Sequence, residues 1–275
     1  MSNLQVYNIA TINVKTQGKN FKRKNLFTGE RNVKILADFI RENQLHSVGT
    51  QELTYRHQNA LAQELGSDYI VTGGYCFGNG PILERIPFNE SNAIVTHIED
   101  VDYVSNKTIH LPSWPTGRDI VLNGVNTLMK LQSRILTCTI DDEKHLVHIN
   151  THLHDSFPEK REEQELFIAN YAKTLQIAYP EYDMIVTGDF NDDITKLSFQ
   201  RFVDEMTKLG LERIPVLQKT YSKQQKNLAV DHIFISKGLL LEDFKVCDTG
   251  DITTTTDHYP VIANISKINS LKYIK

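Results

Sequence analysis

The sequence predicts a mixed α/β chain, with sheets packed between helices in a single domain spanning residues 1–275. Three observations lead there. Segments of period two and segments of period 3.6 alternate along the chain. No unit of roughly 20 to 50 residues repeats, and no stretch is low in complexity. No Pro-, Gly- or Ser-rich segment reads as a linker between domains. The number of strands fits two sheets with helices outside them. The pattern alone equally allows a doubly wound sheet.

Leu4 to Val14 reads as a strand, because β-branched residues occur with alternation at Val6, Asn8, Ala10 and Ile12. Glu30 to Asn43 carries Val33, Leu36, Ala37 and Ile40 at helical spacing, with charges between them. Ser47 to Gln51 is a short strand and Arg56 to Leu65 a short helix. Asn92 to Thr96, Arg134 to Ile140 and His145 to Thr151 read as further strands. Pro158 then opens the helical run PEKREEQELFIANYAKTLQIA, with acids early, where a helix N-terminus favours them. Tyr182 to Thr187 is an apolar strand, Leu197 to Leu209 a helix, and Ala229 to Ser236 and Tyr259 to Ile265 complete the strand set. Two stretches, 15 to 30 and 73 to 91, read as surface loops. The first is rich in Lys, Asn and Gly, and the second contains GGYCFGNG.

Composition narrows the function. The chain has 275 residues, 40% hydrophobic and 23% charged, the balance of a globular protein with a sizeable core. A net charge of -4 argues against holding nucleic acid by bulk electrostatics, although metal ions can offset phosphate locally. The three cysteines (Cys76, Cys138 and Cys247) are widely spaced and odd in number, which points away from a disulfide framework and towards a reducing compartment. The start MSNLQVYNIATINV lacks the basic and apolar regions of a signal peptide, and no run of about 18 apolar residues exists. A cytoplasmic monomer without a membrane span is expected.

The chemistry lies where strands end. Asn13 ends the first strand, Glu52 follows the second in GTQE, and His152 and His154 end another in NTHLH. Asp189 and Asn191 close IVTGDFN, Asp231 opens DHIFIS, and Asp257 and His258 sit in TTTDHYP. Any one of these has an ordinary explanation as a turn, a cap or a surface residue. Together they suggest side chains converging on one edge of a sheet. If the chain stays extended past Gly188, Asp189 and Asn191 point to one side and Phe190 into the core. Oxygen donors of this kind suit a hard cation such as Mg2+ or Mn2+. Asp192 and Asp193 are expected to cap the following helix.

These residues resemble the endonuclease/exonuclease/phosphatase family of metal-dependent phosphoesterases. The match is carried by INV with Asn13, TQE with Glu52, NTHLH with His152, GDFND with Asp189 and Asn191, VDHIF with Asp231, and TDHYP with Asp257 and His258, in the family's order over residues 4 to 262. The resemblance implies a four-layer α/β/β/α sandwich like that of deoxyribonuclease I. It implies Asn13 and Glu52 as metal ligands, with Asp257 as a further one, and Mg2+ or Mn2+ as cofactor. Asp231 and His258 look like the family's His-Asp pair, with the carboxylate fixing the imidazole. Asp189 would orient or deprotonate water, Asn191 would hold a phosphate oxygen, and His152 would bond the phosphoryl group or protonate the leaving oxygen. The reaction implied is in-line attack of water on phosphorus.

Substrate is less defined. His152 resembles the branch with two histidines, away from apurinic-site endonucleases. NTHLHDSFPEKREEQ resembles a pattern of bacterial family hydrolases, but His154 and Asp155 exchange the usual residues and receive no role. Arg134 resembles a family arginine within reach of phosphate, Asn92 is expected to line the cleft, and Arg161 either to reach the phosphate or to pair with Asp155 or Glu165. Tyr69, Tyr75 and Phe77 would form a stacking wall if their loop faces the site. A small-molecule or lipid-derived phosphoester is the favoured partner. A nuclease acting on DNA or RNA is the alternative, supported by KNFKRKN at 19 to 25.

Overall fold

The computed structural model describes residues 4–14, 30–76, 89–98, 104–112, 134–223 and 227–268. The Lys-rich segment 19–25 and Phe77 lie outside them. The strands are β1 (Leu4–Asn13), β2 (Ser47–Gln51), β3 (Leu53–Thr54), β4 (Tyr69–Thr72), β5 (Glu90–Ser91), β6 (Ile94–His97), β7 (Val104–His110), β8 (Ile135–Asp141), β9 (Leu146–His152), β10 (Asp183–Asp189), β11 (Leu211–Arg213), β12 (Asp231–Ser236), β13 (Leu239–Val246) and β14 (Val261–Ile268). The helices are α1 (Glu30–Glu42), α2 (Tyr55–Leu65), α3 (Pro158–Ala178) and α4 (Leu197–Lys208).

Among the described residues the strands form two six-stranded sheets, ordered β13-β14-β1-β2-β6-β4 and β11-β12-β10-β9-β8-β7, and a small β3-β5 ribbon. Each large sheet has one parallel pair at its centre, β1 with β2 and β9 with β10, and antiparallel strands around it. Parallel neighbours need a crossover, and the helix lying between them in sequence is α1 in one sheet and α3 in the other.

Strand alternation divides the core into three layers. Ala10, Ile12, Val48 and Val95 pack outward against Val33, Leu36, Ala37 and Ile40 of α1 and Leu61 and Leu65 of α2. Val147, Ile149, Val186 and Phe234 pack against Ile168, Ala172 and Leu175 of α3 and Phe199, Phe202 and Met206 of α4. Ile9, Ala263 and Ile265 of the first sheet meet Ile185, Ile233 and Ile235 of the second between the sheets. Helix, sheet, sheet, helix is the four-layer sandwich, and the doubly wound alternative is excluded.

Along the central strands the space between the sheets turns polar. The Ser47 hydroxyl bonds His148 Nδ1 at 2.7 Å, and His148 Nε2 bonds the Thr187 hydroxyl at 2.7 Å. Thr187 Oγ1 donates to Asn150 Oδ1 at 3.2 Å, which also accepts Gln51 Nε2 at 2.7 Å. Burial pushes the His148 imidazole down to about 3, so it is neutral. The seam leaves no room at Gly49, where a Cβ would collide with the Thr187 and Asn150 side chains. Such buried polar networks fix how two sheets register on each other.

Several expectations change. The described parts of 73 to 91 are not surface loop: Tyr75, Cys76, Asn89, Glu90 and Ser91 are all buried. β4, β7, β11 and β13 complete the sheets at positions the sequence pattern does not mark. The three cysteines are free thiols. No helix among the described residues is long and apolar enough to cross a membrane.

Candidate active site

The parallel pairs explain why the motifs converge. Asn13, His152 and Asp189 are the carboxyl-terminal residues of β1, β9 and β10, and Glu52 directly follows β2. Asp189 is the register partner of both His152 on β9 and Asp231 on β12, so the second sheet brings three functional side chains to one level. On the first sheet, Thr256 Oγ1 donates to the Asn13 carbonyl at 2.5 Å and accepts the His258 N–H at 3.1 Å. That pair of bonds ties the segment before β14 to the end of β1.

One carboxylate oxygen is the focus. Asp189 Oδ2 accepts Asn13 Nδ2 at 2.9 Å and lies 3.7 Å from both His152 Nε2 and His258 Nε2. Asn13 Nδ2 also reaches Glu52 Oε1 at 3.1 Å, and His258 Nδ1 bonds Asp231 Oδ2 at 2.9 Å. Asp189, Asp231, His152 and His258 are all buried. Burial and the Asp231 charge push the Asp189 carboxyl up to about 7, against the opposing pull of His258 and Asn13. For His258 burial works downward, but Asp231 and Asp189 outweigh it and raise the imidazole to about 9. His152 moves the other way, well below its ordinary value, through burial and the neighbouring Arg134.

Arg134 and Asn92 lie one layer back. Arg134 Nη1 is 3.0 Å from His152 Nδ1 and 3.6 Å from Glu90 Oε2. Asn92 Nδ2 donates to the Ile135 carbonyl at 2.6 Å, which joins β8 to the strand end carrying Asn92. Asp257 pairs with Lys223 at 2.9 Å, and the Tyr221 ring lies over His258 with centroids 4.8 Å apart.

The extended-chain expectation for GDFN is corrected. The strand stops at Asp189, and Asn191 takes a left-handed φ of 51°. Its backbone N–H donates to Asp189 Oδ1 at 2.9 Å and its Nδ2 to the Leu153 carbonyl at 3.0 Å. Asn191 thus holds Asp189 and the neighbouring loop, while Phe190 enters the core as expected. The capping expectation also fails. Asp193 Oδ1 accepts the Thr195 N–H and hydroxyl in a tight turn, and Asp192 pairs with Arg161 at 3.3 Å. Arg161 therefore pairs with neither Asp155 nor Glu165 but binds the His154 and Asp155 carbonyls through Nη1. Tyr69 packs on His97, at the far end of the first sheet, and Tyr75 is buried against Tyr55. Neither forms an exposed stacking wall.

Sequence reading missed Glu90, Tyr221 and Lys223. Glu90 sits in the β3-β5 ribbon opposite Thr54, two residues on from Glu52. Burial and the Glu52 charge push its carboxyl up to about 8. A Glu in a stretch without periodicity gives no signal of this.

The site tests well as a cation site. Asp189, Asp231 and His258 offer donor atoms all within 4.8 Å of one another. Asp231 and His258 already bond each other there, however, and a cation between them would break that bond. Glu52 and the Asn13 amide supply oxygen donors at the same edge without breaking it, while Asp257 there is already paired with Lys223.

Comparisons with known proteins identify the family and the fold. A family model described as Endonuclease/Exonuclease/phosphatase family matches residues 10–258. Among solved structures, a family protein from Bacteroides thetaiotaomicron aligns at a TM-score of 0.75 with 18% identity, covering 97% of each chain. A mannosyl-6-phosphatase from the same organism aligns at 0.73 with 20% identity, covering 94% of this chain and 99% of its own. The human Nocturnin catalytic domain with bound sulfate aligns at 0.67 with 16% identity, covering 97% of each chain. At these identities the structures show a shared fold. No sequence among curated proteins matches the chain. The strand-end constellation and the match over residues 10–258 place this chain in the endonuclease/exonuclease/phosphatase family, whose members are hydrolases acting on phosphoesters.

Proposed function

We propose that the chain is a divalent-metal-dependent phosphoester hydrolase acting on a small-molecule or lipid-derived substrate. The observation that carries this reading is the convergence of Asn13, His152 and His258 on Asp189 Oδ2. Donors from two strand ends and from the segment before β14 surround one carboxylate, which is the arrangement needed to hold a water beside an anionic phosphoryl group.

Asn13 and Glu52 would hold Mg2+ or Mn2+, with Asp257 as a further ligand. When bound, the ion supplies positive charge to the phosphoryl oxygens. Asp189 accepts a proton from the attacking water, or orients it, through Oδ2. Asp231 holds His258 with Nε2–H directed into the site and favours its charged form, so His258 offsets charge developing on phosphorus. His152 donates its own hydrogen bond from the opposite side. Asn191 keeps Asp189 in place through its backbone N–H and holds the Leu153 carbonyl through Nδ2.

The mannosyl-6-phosphatase likeness supports a sugar phosphate monoester as one substrate to try. Hydrolysis of p-nitrophenyl phosphate and bis(p-nitrophenyl) phosphate, with Mg2+, Mn2+ or chelator, tests the proposal. Metal-dependent turnover that disappears in His258→Ala is the expected result. A steep loss of activity on DNA or RNA with rising salt, beside slow turnover of both nitrophenyl esters, would replace it with the nuclease reading.

A further inference from the structure

We propose that Arg134 is a positioning residue that locks His152 as a neutral imidazole protonated on Nε2, with the buried Glu90 carboxyl group set beside the guanidinium. This deepens the phosphoester reading and rests on it for the catalytic consequence.

A guanidinium has donors and no acceptor. At 3.0 Å from Arg134 Nη1, His152 Nδ1 can only be the acceptor, so it carries no proton. A neutral imidazole keeps one proton, which must then sit on Nε2, the atom facing Asp189 Oδ2 at 3.7 Å. Protonating Nδ1 would break the bond to Arg134 and set two cations side by side in a buried site. The same burial and the Arg134 charge hold the ring well below its ordinary value. His152 is thereby a hydrogen-bond donor to a phosphoryl oxygen and not an imidazolium that protonates the leaving group.

Glu90 completes the device. Its Oε2 is 3.6 Å from Arg134 Nη1, and all three side chains are buried. The β3-β5 ribbon fixes Glu90 through its pairing with Thr54, and the Glu90 carbonyl accepts the Cys76 N–H at 2.8 Å. The chain Glu90, Arg134, His152 runs from the ribbon to the site in the order carboxyl, guanidinium, imidazole.

Nitrogen-15 NMR of histidine-labelled protein, with and without Mg2+, tests the lock without any assay of activity. The expected spectrum for His152 shows a bare Nδ1 and a protonated Nε2 throughout pH 5.5 to 8.5. A protonated Nδ1 in that range, as tautomer or as imidazolium, overturns the proposal. In Arg134→Met the ring should gain the other tautomer and titrate within that window, and kcat should fall about tenfold to hundredfold at nearly constant KM. Arg134→Lys, which keeps a donor, should recover part of both losses, while Glu90→Gln should move neither as far as Arg134→Met does. An Arg134→Met protein with the wild-type histidine spectrum also overturns the lock. If wild type hydrolyses no phosphoester yet shows the expected spectrum, the lock stands and the phosphoesterase reading fails.

Discussion

The two histidines of the site are held in opposite ways. His258 has a carboxylate on Nδ1, at 2.9 Å from Asp231, and is raised to about 9. His152 has a guanidinium on Nδ1, at 3.0 Å from Arg134, and is driven well below its usual range. Both direct Nε2 at the same Asp189 oxygen from 3.7 Å. The partner on the far nitrogen decides whether each ring brings a charge or only a proton to share, so two chemically identical side chains provide a cation and a neutral donor.

The largest way to break this comparison is to remove the point where the halves meet. Asp189→Asn should lower kcat with bis(p-nitrophenyl) phosphate by about 10³-fold or more, and a variant within threefold of wild type would refute the focal role. Glu52→Gln should cost about 10²-fold or more, with thermal unfolding unchanged and Mg2+ affinity reduced in calorimetric titration. Asp231→Asn strips only the His258 half of its charge partner and should cost about 10²-fold, leaving the His152 resonances where they were. A disturbance at His152 would mean the halves are coupled more tightly than their geometry implies.

A smaller effect concerns a buried carboxyl group on α3. Glu165 on α3 is buried, neither carboxylate oxygen has a hydrogen-bond partner, and burial with the Asp192 charge pushes it up to about 8 against the pull of Arg161. The folded state therefore holds a proton that the unfolded chain releases near its ordinary value of 4.5. Its contribution to stability is complete below that value and is lost as pH rises towards about 8. Glu165→Gln should flatten this slope and gain about 1 kcal/mol or more at pH 8, measured by urea unfolding across the range. A slope identical to wild type would show that Glu165 is not its source. Smallest of all, Arg201→Ala removes an exposed pair with Glu162 and should change stability by about 0.5 kcal/mol or less.

Legibility in the sequence followed the physics of each element. β2 and α3 begin and end where the pattern puts them, and α3 opens on a proline that marks its start. β7 and β13 were hidden because they are sheet edges with exposed polar faces, and VSNKTIH has no clear buried side. The site residues at strand ends stood out as a set, since charge there conflicts with local structure unless something converges on it. Asn191 and Asp192 were misread because their roles depend on a left-handed turn and on a partner 31 positions away. Glu90 and the tautomer it supports exist only in three dimensions.

The place of β1 has one more consequence. This first strand lies inside its sheet, with Leu4 to Thr11 paired to β14 at Val261 to Ile268 and Ile9 to Asn13 to β2. During folding β1 keeps one edge open until β14, more than two hundred residues further along the chain, has been made and pairs with it. Asn13 and His258 cannot share a site before then. A chain in which β14 has not yet paired would be inert towards substrate, and the open β1 edge meanwhile makes it a client for chaperones that shield β surfaces.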